Sequence, residues 1–162
     1  MNRSKLVVAA ALLLGATPAL AQQPPIPQYG PNVTLDQARK AAAASEAEAK
    51  KNGWPMAIAV VDTAGQLVYF QKMDQTQTAS VAVAQDKAVS AAIYRRPTKV
   101  FQDGVAAGGA GFRILTLRAA SAADGGLPIY VDGKIVGAIG ISGGSPDQDA
   151  QVVKAGADSL AK

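Results

Sequence analysis

No histidine and no cysteine occur among the 162 residues of this chain. Their absence excludes Ser-His-Asp and Cys-His nucleophilic catalysis, and any metal centre built on imidazole or thiolate. Without cysteine there are no disulfides, so whatever compartment the protein occupies, packing alone must hold it together. Aromatic residues make up only 5% of the chain and charged residues 17%. Outside residues 95–99 there is no dense run of Lys or Arg, so no nucleic-acid partner is expected, because phosphate binding draws on a basic stripe.

The N-terminus carries an address. Arg3 and Lys5 form a basic start, residues 6–16 an apolar run, and Ala19-Leu20-Ala21 a small-x-small cleavage site. This pattern predicts a secretory signal peptide over residues 1–21, and the apolar run is too short for the roughly 20 residues that span a bilayer. The expected location is periplasmic or secreted, with no stable membrane insertion once the signal is cut. Removing Arg3 and Lys5 from the 16 basic residues leaves 14 against 12 acidic ones, a net charge of +2, so the basic character of the whole chain is partly that of its signal. Residues 22–32 hold Pro24, Pro25, Pro27 and Pro31 and read as an extended linker, since proline enters neither helix nor ladder. The remaining residues, 33–162, suit one domain with one core.

Within that domain the stretch GGLPIYVDGKIVGAIGISGG, residues 125–144, is the organising element. Asp132-Gly133 supplies the positive φ angles of a tight hairpin turn, and Ile135, Val136, Ala138, Ile139 and Ile141 leave almost no polar face. Such a strand is covered on both sides and belongs in the middle of a sheet. Upstream, Thr34 and Gln37 have the spacing of a capping box, and Gly53 with Pro55 supplies a stop, predicting a helix over 34–52. Residues 56–61 and 66–72 flank the turn chemistry of Asp62 to Gly65 and form a second hairpin. Thr76 or Thr78 could cap a second helix carrying Val81, Ala84, Ala88 and Ala91, which must end before Pro97. A shorter helix over 98–107 leads into Gly108, Gly109 and Gly111, read as a mobile loop. Residues 112–117 fit either a third strand or a continuation of that loop. Ser145 and Gln148 form another capping box, with Pro146 at the first position of a last helix. Hairpins mixed with helices argue for an α+β domain on an antiparallel sheet.

The blocks AIAVVDTAGQLVYFQKMD, SVAVAQDKAVSAA, RRPT and GGLPIYVDGKIVGAIGISGG, between an opening and a closing helix, resemble the GlcG/HbpS-like haem-binding family, which is similar to the C-terminal part of the adenosyltransferase PduO. The resemblance covers residues 33–161. It implies a profilin-like antiparallel sheet of about five strands with helices packed on its faces, assembled as a homo-oligomer, dimer or higher. It also implies a small-molecule ligand, haem or a related porphyrin, bound for sensing or degradation. A fold transfers more safely than a function. The rival readings are an accessory binder or enzyme for a small organic acid or alcohol, and a sensor partner without catalysis.

With neither His nor Cys, haem iron would have to take Met, Tyr, Lys, a hydroxyl or water. The resemblance implies a ligating threonine on the loop before the Gly-Gly-x-Pro segment; Thr116 is that loop's only threonine and does not align with the ligand position. Met73 and Asp74 match the end of a family block, although Met is more often packing material. Tyr69 and Tyr94 read as half-buried rings with a hydroxyl at the surface. Lys87 matches a family lysine and lies among alanines; it is either a buried base paired with a carboxylate such as Asp74, or an ordinary snorkelling lysine. Arg95, Arg96, Lys99, Arg113 and Arg118 are the basic concentration, of which Arg113 and Arg118 are the candidates to grip carboxylates. The implied pocket lies between the second helix and the Gly125-Gly126 loop and adds Ser80, Gly125 and Gly126 to the ligand-binding set. Finally, residues 140–145 run from a strand into a helix N-terminus, which reads as a tight turn or as an anion site. Asp147 and Asp149 are either ordinary first-turn acids or a carboxylate pair for a hard cation.

Overall fold

The computed structural model describes residues 26–161, so the predicted signal peptide and the first prolines of the linker lie outside the described residues. Helix α1, Leu35–Asn52, starts at the Thr34 capping box and stops at Gly53, whose φ of 70° lets its N–H return to the carbonyls of Ala49 and Lys50. Strands β1, Ala57–Asp62, and β2, Leu67–Lys72, follow as the expected hairpin. Asp62 accepts from the amides of Ala64 and Gln66 across the turn. Helix α2, Ser80–Tyr94, runs into Arg95 at φ 55°, two residues short of Pro97. Helix α3, Lys99–Ala106, leads to a 3-10 helix, η1, Gly109–Thr116. Strands β3, Gly126–Val131, and β4, Lys134–Ser142, turn at Asp132 and Gly133, both at positive φ. Helix α4, Pro146–Asp158, begins at the Ser145 capping box with Pro146 in its first turn.

The sheet is antiparallel with order β2-β1-β4-β3, which puts the 135–141 stretch in the middle, as its lack of a polar face demands. Its two faces carry different side chains. Ile58, Val60, Ile139 and Ile141 point towards α1 and α4 and build a core of branched residues with Met56, Ile129, Val152 and Val153. On the other face Ala57, Ala59 and Ala138 meet Ala84, Ala88, Ala91 and Ala92 of α2. Small residues on both surfaces let the helix lie close to the sheet: a Cβ at Gly140 would run into the Ala84 carbonyl oxygen and the Ala88 amide.

Three expectations need correction. The sheet has four strands among the described residues, not about five, because residues 112–117 coil as η1 instead of pairing. Gly108 and Gly109, at φ 70° and 53°, turn the chain back on α3, and Gly111 sits so close to Gly104 that no side chain fits between them. The glycine cluster therefore docks one short helix against another rather than forming an irregular loop. Thr76 and Thr78 do not cap α2, whose N-cap is Ala79 without a side-chain bond; the Thr76 hydroxyl donates to the Met73 carbonyl at 2.8 Å instead.

The described part of the Pro-rich stretch lies against the domain. Gly30 donates to Ile135 O at 2.8 Å and Ile135 to Gln28 O at 2.9 Å, beside the start of β4 beyond the last β1 pair. The Tyr29 hydroxyl donates to Ala92 O, and Arg95 stacks over its ring and donates to Pro27 O.

Candidate functional site

The eight candidate residues fall into three places. Ser80, Lys87, Gly125 and Gly126 meet at one end of the sheet, all buried. Lys87 projects from the middle of α2 to the end of β4, where its Nζ donates to Ile141 O at 3.0 Å and to Oδ2 of Asp149, on α4, at 2.6 Å. Its carboxylate partner is thus Asp149, not Asp74, which is exposed after β2. The other Asp149 oxygen accepts from the Gly144 amide at 3.0 Å. The strand-to-helix turn does bind an anion through its amides, and the anion is the chain's own side chain. Burial pushes the Asp149 carboxyl above its ordinary 3.8, opposed by the Lys87 ammonium and the amides of Gly144 and Gly143.

The Gly125-Gly126 loop closes over this pair. Gly125, at φ 110°, leaves room for neither a left-handed side chain nor a Cβ, which would sit 2.8 Å from Asp149 Cβ and 3.0 Å from Lys87 Nζ. Gly126 donates to Thr98 Oγ1 at 2.9 Å and accepts from Thr98 N at 3.0 Å. Ser80 is joined to Ser142 by a hydroxyl–hydroxyl contact of 3.1 Å. Among the described residues no buried side-chain polar atom lacks a partner. The expected pocket between α2 and this loop is therefore filled: it is a closed polar knot tying α2, β4, α4 and the start of β3 together.

Met73 lies elsewhere, half-buried against the branched core on the α1 and α4 side of the sheet. Asp147 is exposed while Asp149 is buried, so the two do not act as a cation pair, and the described residues hold no cluster of three or more acids able to take a metal.

Arg113 and Arg118 occupy the third place, the excursion formed by α3, η1 and the segment after it. Hydrophobic periodicity does not mark this surface, because η1 buries none of its residues. Phe112, Leu115 and Leu117 are 55%, 66% and 41% exposed, and Val100 on α3 is 47% exposed. Large apolar side chains standing in water together are the informative exception to ordinary burial. Arg113 and Arg118, their chain neighbours, are exposed too, as are Arg96, which lies over the Phe101 ring, and Lys99, which is paired with Asp103. Beneath, the Tyr94 ring meets Phe101 edge-on at 5.1 Å, and its hydroxyl donates to Arg118 O at 2.8 Å. The segment then crosses α2, leaving an open cleft of about 360 Å³ lined by Asp86, Val89, Ala119, Ala120 and Ser121. Exposed apolar side chains with cations beside them suit an amphipathic anion.

Fold and site together define a small profilin-like α+β domain with a sealed polar knot at one sheet end and an amphipathic, cationic excursion beside it. The sequence model described as "Haem degrading protein HbpS-like" matches residues 33–158, and the chain belongs to that family. Protein GlcG of Escherichia coli K12 is 42% identical over 100 residues, covering 62% of this chain and 73% of GlcG. A crystal structure of a Streptomyces reticuli HbpS double mutant superposes with a TM-score of 0.73 at 30% identity, covering 94% of this chain and 98% of that one. The PduOC:heme complex shares the fold, with a TM-score of 0.72 at 22% identity over 80% of this chain and 95% of that one.

Proposed function

We propose that the protein is an exported binder of haem or a related porphyrin, and that it holds the macrocycle on the α3–η1 excursion. The observation that carries this reading is the exposure of Val100, Phe112, Leu115 and Leu117 on α3, η1 and the residue after it, together with that of Arg113 and Arg118, in a chain whose family is described as haem degrading. The solved relatives add support, one of them being a haem complex. The residues present fit the group: the apolar side chains of Phe112, Leu115 and Leu117 would cover the ring, the guanidinium groups of Arg113 and Arg118 would pair with its propionates by charge-assisted hydrogen bonds, and the oxygen donors of Tyr94 and Thr116 would suit ferric iron better than ferrous. Bound haem would supply an iron centre for sensing or for oxidative ring opening. The Lys87–Asp149 knot positions the excursion by anchoring its far end at Gly125-Gly126.

Titrating the protein, from residue 22 onwards, with hemin tests the reading. A saturable Soret shift is expected for the wild type. Phe112→Glu with Leu115→Glu should abolish it while leaving the melting temperature nearly unchanged, since neither side chain is buried. A wild-type spectrum indistinguishable from that of hemin in buffer would end the proposal.

A further inference from the structure

We propose that Tyr94, as its phenolate, is the protein's ligand to ferric haem iron, an inference that rests on the haem reading above. The chain offers neither imidazole nor thiolate, so the donor must come from weaker classes, and the fold places most of these out of reach. Met56 is fully buried, and Met73 packs against the core on the far side of the sheet from α2. Lys87 is sealed in its ion pair. The Asp103 carboxylate holds the Lys99 ammonium above its ordinary 10.5, so that nitrogen keeps the proton covering its lone pair.

The tyrosines separate in the same way. Tyr29 is clamped under Arg95 with its hydroxyl on helix carbonyls, and Tyr69 sits on β2 beside Gln71. Tyr130 lies on β3, where burial pushes its phenol above the ordinary 10.0. Tyr94 alone among them ends α2 beneath the excursion, its oxygen at the backbone of Arg118, the residue that follows exposed Leu117. The Thr116 hydroxyl also lies there, donating to Arg113 O at 2.7 Å, but a neutral alcohol is a poorer ligand than phenolate for hard ferric iron.

The step is a ligand exchange without redox change. The Tyr94 O–H bond breaks and its proton passes to solvent, the bond to Arg118 O is given up, the water bound to hemin iron leaves, and an Fe–O bond to the phenolate forms in its place.

The test compares hemin complexes of the wild type, Tyr94→Phe and Tyr69→Phe by absorption and resonance Raman spectroscopy, with circular dichroism as a check on folding. The wild type and Tyr69→Phe are expected to show a phenolate-to-iron charge-transfer band and phenolate vibrations. They should release one proton per hemin bound. Tyr94→Phe should still shift the Soret band but lose those signatures, with affinity about tenfold weaker. The wild-type Raman spectrum decides even if Tyr94→Phe folds poorly, since absent phenolate modes overturn the assignment without any variant. Retention of the full spectrum by Tyr94→Phe would overturn it and leave the haem reading standing. No Soret shift in the wild type would overturn both.

Discussion

Lys87 and Asp149 lie 62 positions apart and are almost fully buried, so each is tolerable only because of the other. Removing one partner leaves a buried charge without compensation, which costs about 3–5 kcal/mol. Lys87→Ala should therefore lower urea-measured stability by about that much, and Lys87→Met with Asp149→Leu should lose far less than the sum of the single changes. Additive losses would show that the pair does not act as a unit. The pH dependence has a definite sign. The folded Asp149 carboxyl sits above its ordinary 3.8, so its stabilising contribution is complete below that value and is lost as pH rises through the folded one. The stability advantage of wild type over Asp149→Asn should narrow with rising pH across that window. An advantage that widens instead would mean that the ammonium and the amides outweigh burial. At this scale the sequence marks Lys87 as a residue in apolar company but suggests Asp74 as its carboxylate rather than Asp149. Asp149 looked like any acid in a first helical turn, and only the path of β4 brings the two together.

Among the elements, the helix starts were the most legible because capping is local. Thr34 with Gln37 and Ser145 with Gln148 satisfy neighbouring amides within three residues, and both capping boxes are present. Ser145→Ala should cost about 1 kcal/mol in chemical denaturation. It should also loosen Asp149, four residues on. The start of α2 is not legible locally because a threonine near a helix has more than one carbonyl to choose from, and Thr76 bonds Met73. Residues 112–117 are undecidable locally because Ile114, Leu115 and Leu117 satisfy a strand and a continued loop equally, and they form neither. What settled them was Gly111 against Gly104, a contact between two elements. The alanine face of α2 carries a prediction of its own. Gly140→Ala should destabilise by about 1–3 kcal/mol or more, since the new methyl meets backbone rather than a yielding side chain. Thermal melting of that variant beside a surface control, Lys40→Ala, reads the effect directly.

For the whole molecule, the sheet order β2-β1-β4-β3 places one face under α1 and α4 and the other under α2, leaving α3 and η1 as an excursion outside both layers. That excursion carries exposed apolar side chains because it has no layer to cover them. Residues 28–33 run beside β4 and reach the end of α2 through Tyr29. A chain begun at Val33 should therefore melt below one begun at Gln22, although its sheet and helices are complete; equal melting temperatures would show that the stretch adds nothing to stability. By itself, the sequence determined what depends on near neighbours or on composition: the capped helices, the two hairpins, the strand covered on both sides, and a chemistry without imidazole or thiolate. The tertiary structure alone decided the partner of Lys87, the sealing of the expected pocket and the surface left uncovered. Each of these depends on groups tens of residues apart in the chain, which periodicity and capping, acting over a few positions, do not report.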